Sequence, residues 1–584
     1  MVLRSYYNIM RYFVKKSKPS KKGLYLQIYR TNYVPGKGNQ NKSYKALGYV
    51  SDLIEKGIED PIKYAQELVD KLNASHEIKK ERQIGDVSTQ TNVGYFLPKS
   101  MFSYLDMDKD LNIIASSFKC HYKFSELFKT LVYAQIIGPG SKHYLYDKTI
   151  PSLHKVGKYS YDQILDCVNF VGSDFHKYIE ILNHHIENKY SRNFDKCYFD
   201  CTNYYFEIDE EDDFRKKGPS KENRKSPIIG QSLLLDADMI PLDMELYPGN
   251  ESERPYLRKR IEDMKSRNNV SGRIIQIADK GLNCARNIYA ASIEANDGYI
   301  FSKSVHGKNL TDTEKVWVLL NDEAANKWTE VRGPNNELLY RYKECIDTFS
   351  YSCKVKADDE KETKFTVKEK RIVTYNPFLA KKQRREIQKM VDCLQQKITY
   401  KEIVREELGD AVKYVTIEAK TIEGEKVKIA KKLNQDKINE DLSFAGYNLL
   451  VTSEINASAT EIYNAYHNLW RIENSFRVMK TLLDARPAYV STKETVFGHF
   501  LIVYVALTIM RLIELKVFVD EIPIDQLFSF IRDYNITENY DGTFINNATS
   551  SHTYLKIKDK YQLSKLGNVY LTDNDVNNIL KATF

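Results

Sequence analysis

Apolar and polar positions alternate in short bursts near the start of the chain and again through its middle. Elsewhere the apolar positions recur every three or four residues. The bursts GLYLQIYRTNYV (23–34) and KSYKALGYV (42–50) predict two strands joined by a loop containing PGKG. PIKYAQELVDKLNASHEIKKERQ (61–83) has the spacing of a charged amphipathic helix, and residues 100–190 continue with helical periodicity, interrupted at Gly138-Pro139-Gly140. The middle reads differently. KCYFDCTNYYFEI (196–208), IIGQSLLLDAD (228–238) and MIPLDMELYPGN (239–250) predict three strands, the last two turning at Asp236-Ala237-Asp238. SERPYLRKRIEDMKSRN (252–268) predicts a helix, and the short continuous apolar run in RIIQIADKG (273–281) a buried strand. A second helix over 283–296, with Asn283 as N-cap and Gly298 beyond its end, precedes a strand over 298–305.

This β-β-β-α-β-α-β order, three antiparallel strands followed by parallel crossovers, is the connectivity of a ribonuclease H-like core. Residues 306–444 break the pattern with short strand-like runs and one basic helix (376–396), which predicts an inserted, β-rich domain. GYNLLVTSE (446–454) returns as a strand. A long helix over 458–483 follows, opened by the capping box Ser458-x-x-Glu461, and then an apolar core helix over 494–515. The fold class expected is α/β: a mixed five-stranded sheet flanked by helices, interrupted by the β-rich insertion. A helical N-terminal region precedes this core and is itself preceded by a small basic sheet. The expected divisions are a basic β-rich arm at 1–60, the helical region at 61–190, core at 191–305, insertion at 306–444, core with the 458–483 helix at 445–520, and a C-terminal region of no assigned role at 521–584.

Charge changes this picture at one end. The net charge is +8, yet residues 1–50 hold eleven Lys/Arg and no acid, so the remaining 534 residues sum to −3. A basic end on a near-neutral body is the footprint of a polyanion binder, with Lys21 and Lys22 among the candidate phosphate contacts. The longest uncharged apolar stretch, Thr495 to Met510, is sixteen residues, short of the roughly twenty that span a bilayer, and no partner membrane is expected. The N-terminus has no signal-peptide block. Eight scattered cysteines without a C-x-x-C pair argue against a zinc ribbon or disulfide scaffold and predict a cytoplasmic location.

With 79 acidic residues, only context can select the chemistry. Asp200 lies within an apolar strand, Asp279 ends a buried strand where open α/β sheets bind ligands, and Glu473 sits among Trp470, Ile472 and Phe476. Converging carboxylates repel, and a divalent cation removes that penalty. An all-oxygen ligand set points to Mg²⁺ or Mn²⁺ rather than zinc. Two such ions suit in-line phosphodiester displacement. Tyr466, Glu473 and Lys480 are seven residues apart and share a helix face, with Arg477 one turn beyond Glu473. Lys221 and Arg224 in the loop after the first core strand, and Lys381, Arg384 and Arg385 on the basic helix, are further candidate DNA contacts. Cys197, Cys201 and His499 read as packing residues.

The pieces YFDCTNYYFE, GPSKENRKSP, YPGNESE, IIQIADKGLNCARNI and YHNLWRIENSFRVMKTLLDARPAYVSTKETVFGHF together resemble the DDE transposases of bacterial insertion sequences. The similarity is to the subgroup with a β-rich insertion between the second Asp and the Glu, and with a Y-x2-R-x3-E-x6-K signature. The resemblance implies Asp200, Asp279 and Glu473 as catalytic, metal-binding carboxylates, with Tyr466 and Lys480 as the signature Tyr and Lys that hold nearby DNA phosphates. The signature Arg falls on Leu469, leaving Arg471 or Arg477 as the cation in its place. It also implies Mg²⁺ as physiological metal (two ions, Mn²⁺ substituting), and cleavage at element ends with 3′-OH joining to target DNA. Double-stranded DNA and a homodimeric synaptic complex are the implied partners. A nuclease without strand transfer and a catalytically silent terminal-repeat binder are the alternatives.

Overall fold

A computed structural model describes residues 11–17, 23–34, 38–78, 88–118, 120, 122–219, 226–306, 310–320, 327–356, 358–398, 409–420, 428–486, 488–539 and 542–584. The chain divides into two compact units, Met1–Ser88 and Thr89–Phe584. In the first, β1 (Arg11–Lys16), β2 (Tyr25–Val34) and β3 (Gly38–Tyr49) form an antiparallel sheet in that order. Alternation turns Leu26 and Ile28 inward, and Leu26 packs with Leu53 and Ala65. The helix Pro61–Ile78 belongs to this unit, because the Asn73 side chain accepts the Tyr12 N–H (2.8 Å) and donates to the Tyr12 carbonyl (3.1 Å). The first unit therefore runs beyond residue 60.

The second unit opens with β4 (Gln90–Asn92), which joins a small sheet with segments of the last fifty residues. Its main sheet is built from β5 (Lys196–Tyr205), β6 (Ile228–Leu235), β7 (Pro241–Pro248), β8 (Ile275–Ala278) and β9 (Gly298–Lys303). β10 (Thr329–Arg332), β11 (Leu338–Cys353) and β12 (Thr363–Tyr375) follow. After the hairpin β13 (Val415–Lys420) and β14 (Lys428–Leu433) comes β15 (Tyr447–Thr452). Among the described residues the order is β10-β11-β12-β15-β9-β8-β5-β6-β7. β5, β6 and β7 are antiparallel neighbours, β8 runs parallel to β5 and β9 parallel to β8. The segment after β9 does not fold away from the core: β12 pairs with β15, which pairs with β9, so the β11–β12 hairpin extends the same sheet.

Helices cover both faces, which is why β6 is buried at every position. Period-two alternation sorts β5 between them. Cys197, Phe199 and Cys201 pack with Leu257, Ile261 and Met264 of the helix Arg254–Arg267, and both cysteines are free thiols. Tyr198 and Tyr204 turn the other way, toward Ile472, Phe476, Val478 and Met479. The helix Lys493–Leu512, with its extension to Val517, is long and apolar enough to cross a bilayer, but nearly all of it is buried inside the protein. It meets the helix Tyr161–Ser173 through two glycines: a Cβ on Gly498 would lie 1.8 Å from the Val168 carbonyl oxygen, and one on Gly172 1.8 Å from that of Glu494. Backbone contact of this closeness admits no side chain.

Two local expectations differ. The helix at 283–296 starts at Ala285 with Cys284 as N-cap, and the Asn283 amide NH2 donates to the Ser302 carbonyl (3.0 Å). The helix expected over 458–483 is two helices, Ala459–His467 and Trp470–Thr481. The capping box forms as expected, Ser458 Oγ accepting the Glu461 N–H (3.2 Å) and Glu461 accepting the Ser458 N–H (2.8 Å). At Asn468-Leu469 the ladder tightens to three-residue steps: Leu469 N–H to Tyr466 O, Arg471 N–H to Asn468 O and Ile472 N–H to Leu469 O, each 3.0 Å.

Candidate active site

Strand register brings two distant aspartates together. Phe199 and Ala278 form the last paired rung between parallel β5 and β8. Asp200 and Asp279 are the next residue on each strand, and neighbouring strands lie about 4.8 Å apart. Both continue the alternation that turns Tyr198 and Ile277 toward the helical face carrying Ile472. The helix Trp470–Thr481 lies over this face and brings Glu473 to it. Asp200, Asp279 and Glu473 thus line one cavity of about 200 Å³, closed by Tyr466, His467, Leu469, Trp470 and Ile472. Three carboxylates from positions 200, 279 and 473 therefore share one cavity.

Hydrogen bonds orient the walls. Asp200 Oδ1 accepts the Cys201 N–H at 2.7 Å, and Asp279 Oδ1 accepts the Tyr466 hydroxyl at 2.8 Å. Burial, then the adjacent Asp279 charge, pushes the Tyr466 phenol well above its ordinary range, so it remains a donor. Burial lowers His467, which stacks on Tyr463 with ring centroids 4.6 Å apart. Lys480 donates to Thr202 Oγ1 at 2.8 Å, and its ammonium lies 5.1 Å from the centre of the Tyr204 ring. Residues 198, 200, 202 and 204 alternate onto one face of β5, so the partner of Lys480 was findable from the period-two rule, two positions after Asp200.

The oxygen-only donor set suits a hard divalent cation. Among the described residues, however, no three His, Cys, Asp or Glu side chains meet closely enough to hold one ion. Holding a cation here calls for side-chain rotation within the cavity, where Asp200 and Asp279 are half-buried and Glu473 is exposed.

The other sequence-predicted residues divide. Tyr466 and Lys480 face the sheet. Arg471 and Arg477 do not join them: Arg471 pairs with Asp520 and Arg477 with Asp525 (2.8 Å), on the outer side of the helix. No sequence signal pointed to those two aspartates. Leu469, at the signature Arg position, is buried in the cavity wall. Lys381, Arg384 and Arg385 are exposed on the helix Pro377–Ile398. Lys21, Lys22, Lys221 and Arg224 lie outside the described residues. His499 is buried, with Nδ1 3.1 Å from Lys142 Nζ and Nε2 3.2 Å from the Ala485 carbonyl oxygen.

Residues 206–509, a little over half of the chain, match the family described as "Transposase DDE domain". The matched span contains Asp279 and Glu473 and begins six residues after Asp200. No curated protein matches the chain. Among solved structures, the chain is similar to a piggyBac transposase synaptic complex with hairpin DNA, at 10% identity and a TM-score of 0.36, over 75% of this chain and 76% of that one.

Proposed function

This chain belongs to the transposase family defined by the DDE domain, and from that premise we propose that it cleaves the ends of a mobile element by divalent-metal-dependent phosphodiester hydrolysis and joins the freed 3′-OH to target DNA. One observation carries the reading: Asp200, Asp279 and Glu473, far apart in sequence, line a single small cavity. The sheet order β7-β6-β5-β8-β9, antiparallel and then parallel, supports a ribonuclease H-like core beneath it.

In this proposal Asp200, Asp279 and Glu473 hold Mg²⁺, two ions with Mn²⁺ able to substitute. Bound divalent cations supply positive charge to phosphoryl oxygens and lower the pKa of water. The protein's own groups do the rest. Tyr466 keeps the Asp279 carboxylate aimed by donating to Oδ1. Lys480, anchored on Thr202 behind Asp200, contributes a cation toward the DNA backbone. Trp470 is 49% exposed at the cavity rim and presents an indole face on which an unstacked base can rest. Leu469 and Ile472 make the inner wall apolar, limiting water beside the carboxylates. The exposed Lys381, Arg384 and Arg385 offer non-specific phosphate contacts remote from the cavity. A homodimer that pairs two element ends completes the proposal.

The test is a duplex carrying the element end, incubated with the full chain in Mg²⁺ or in chelator, with and without a target plasmid. Cleaved and joined products are expected with Mg²⁺ only, and neither with Asp200→Ala or Glu473→Gln. Wild-type cleavage by either variant refutes the site. Cleavage without joining makes the protein a nuclease, and binding without cleavage makes it a silent end-binder.

A further inference from the structure

The resemblance assigns Tyr466 to DNA, but its hydroxyl points elsewhere. It donates to Asp279 Oδ1 at 2.8 Å and is in hydrogen-bond contact with the Ser302 side chain. Ser302 is buried on β9, with Oγ 2.9 Å from the side-chain amide of Asn448 on β15; with its single proton directed to the Tyr466 oxygen, it accepts in turn from the NH2 of that amide. Its carbonyl accepts the Asn283 amide at 3.0 Å, four residues beyond Asp279. Polar side chains from β9, β15, the Ala459–His467 helix and the loop after β8 thus meet in one series, Asn448–Ser302–Tyr466–Asp279. A buried phenol committed to a carboxylate oxygen has little freedom to reach a phosphate. A carboxylate with one oxygen held by a donor has its other oxygen and its rotamer restricted.

We propose that Tyr466 and Ser302 are positioning residues for Asp279: Ser302 holds the phenol, and the phenol sets the carboxylate orientation that binds a divalent cation. This rests on the reading of Asp279 as a metal-binding carboxylate. Partners that orient a ligating carboxylate typically contribute about 10–100-fold to metal affinity. Ser302 touches neither cation nor DNA in this arrangement, so its effect passes through Tyr466 alone.

The experiment uses the full chain and Mn²⁺ alone, followed by the electron paramagnetic resonance signal of the free ion, with end-bearing DNA binding measured separately in chelator. Tyr466→Phe and Ser302→Ala each remove a single oxygen atom. The Mn²⁺ Kd is expected to rise about 10–100-fold for Tyr466→Phe and in the same direction, by less, for Ser302→Ala. DNA affinity in chelator is expected to stay at the wild-type value for both. In the double variant, Ser302→Ala should add nothing to Tyr466→Phe, because the route it acts through is already cut. Wild-type Mn²⁺ affinity in Tyr466→Phe with weaker DNA binding in chelator overturns the proposal and returns Tyr466 to a phosphate contact. Fully additive losses overturn the role of Ser302. Failure of the unaltered chain to bind Mn²⁺ at all removes the metal reading itself, and this proposal with it.

Discussion

Asp279→Asn separates electrostatics from packing at the cavity. The substitution preserves size, and an Asn oxygen can still accept the Tyr466 hydroxyl that Asp279 Oδ1 accepts at 2.8 Å. What changes is one negative charge beside Asp200. At the spacing of adjacent strands, about 5 Å, two unit charges repel by about 3 kcal/mol at an effective dielectric of 20 and by about 0.8 kcal/mol in water. Both carboxylates are partly solvated, so the lower part of that range applies, about 1 kcal/mol. In chelator, Asp279→Asn should therefore be more stable than wild type by about 1 kcal/mol while losing cleavage. With Mg²⁺ at about a hundred times its Kd, wild type gains about 2.7 kcal/mol by mass action and the variant much less. The order of stability then reverses. Urea denaturation of both proteins, in chelator and in Mg²⁺, reads this as a crossing of the two midpoints. A variant no more stable in chelator, or one gaining as much from Mg²⁺ as wild type, would refute the reasoning.

Gly498→Ala should destabilise the protein by about 1–3 kcal/mol, since the new Cβ meets backbone of the Tyr161–Ser173 helix rather than a mobile side chain; an unchanged urea midpoint contradicts this. Asp520→Asn with Asp525→Asn frees Arg471 and Arg477 from their ion pairs. Duplex affinity should rise and the log–log salt slope should steepen by up to about two, about 0.9 per added phosphate contact; an unchanged slope rules these arginines out. Replacing Lys381, Arg384 and Arg385 together by Gln should lower that slope by up to about three while leaving sequence preference intact. Burial lowers Lys142 to about 7, so between about pH 7 and 10 the unfolded chain holds a proton the folded chain sheds. Stability contributed by this group therefore rises with pH across that window and is lost as pH falls. Lys142→Met should flatten the rise in urea midpoint between pH 7 and 9, and a slope equal to wild type contradicts the assignment.

Much of the local structure was legible in the linear pattern, because strands and caps answer to neighbours within a few residues. The apolar run of β5 predicted a strand and marked Asp200 as the anomaly within it. Ser458 and Glu461 predicted a helix start that forms bond for bond. The three carboxylates could be named for the same reason: a charge in an apolar run stands out wherever the run folds. Their meeting, by contrast, was decided in three dimensions. The Phe199–Ala278 register sets Asp200 beside Asp279, and it depends on β8 docking parallel to β5 across an intervening hairpin and helix. The break at Asn468-Leu469 has no proline or glycine to announce it. Arg471 and Arg477 looked available from helical spacing, yet Asp520 and Asp525 from a later segment hold both. Tyr466 was assigned to phosphate until Asp279 lay within 2.8 Å of its hydroxyl. The strands after β9 looked separable because nothing local says that β12 will pair with β15. Hydrophobic period and capping are properties of one segment and survive in the sequence. Register, side-chain partner and sheet membership are contests between distant segments, settled only when burial and hydrogen bonding are satisfied together.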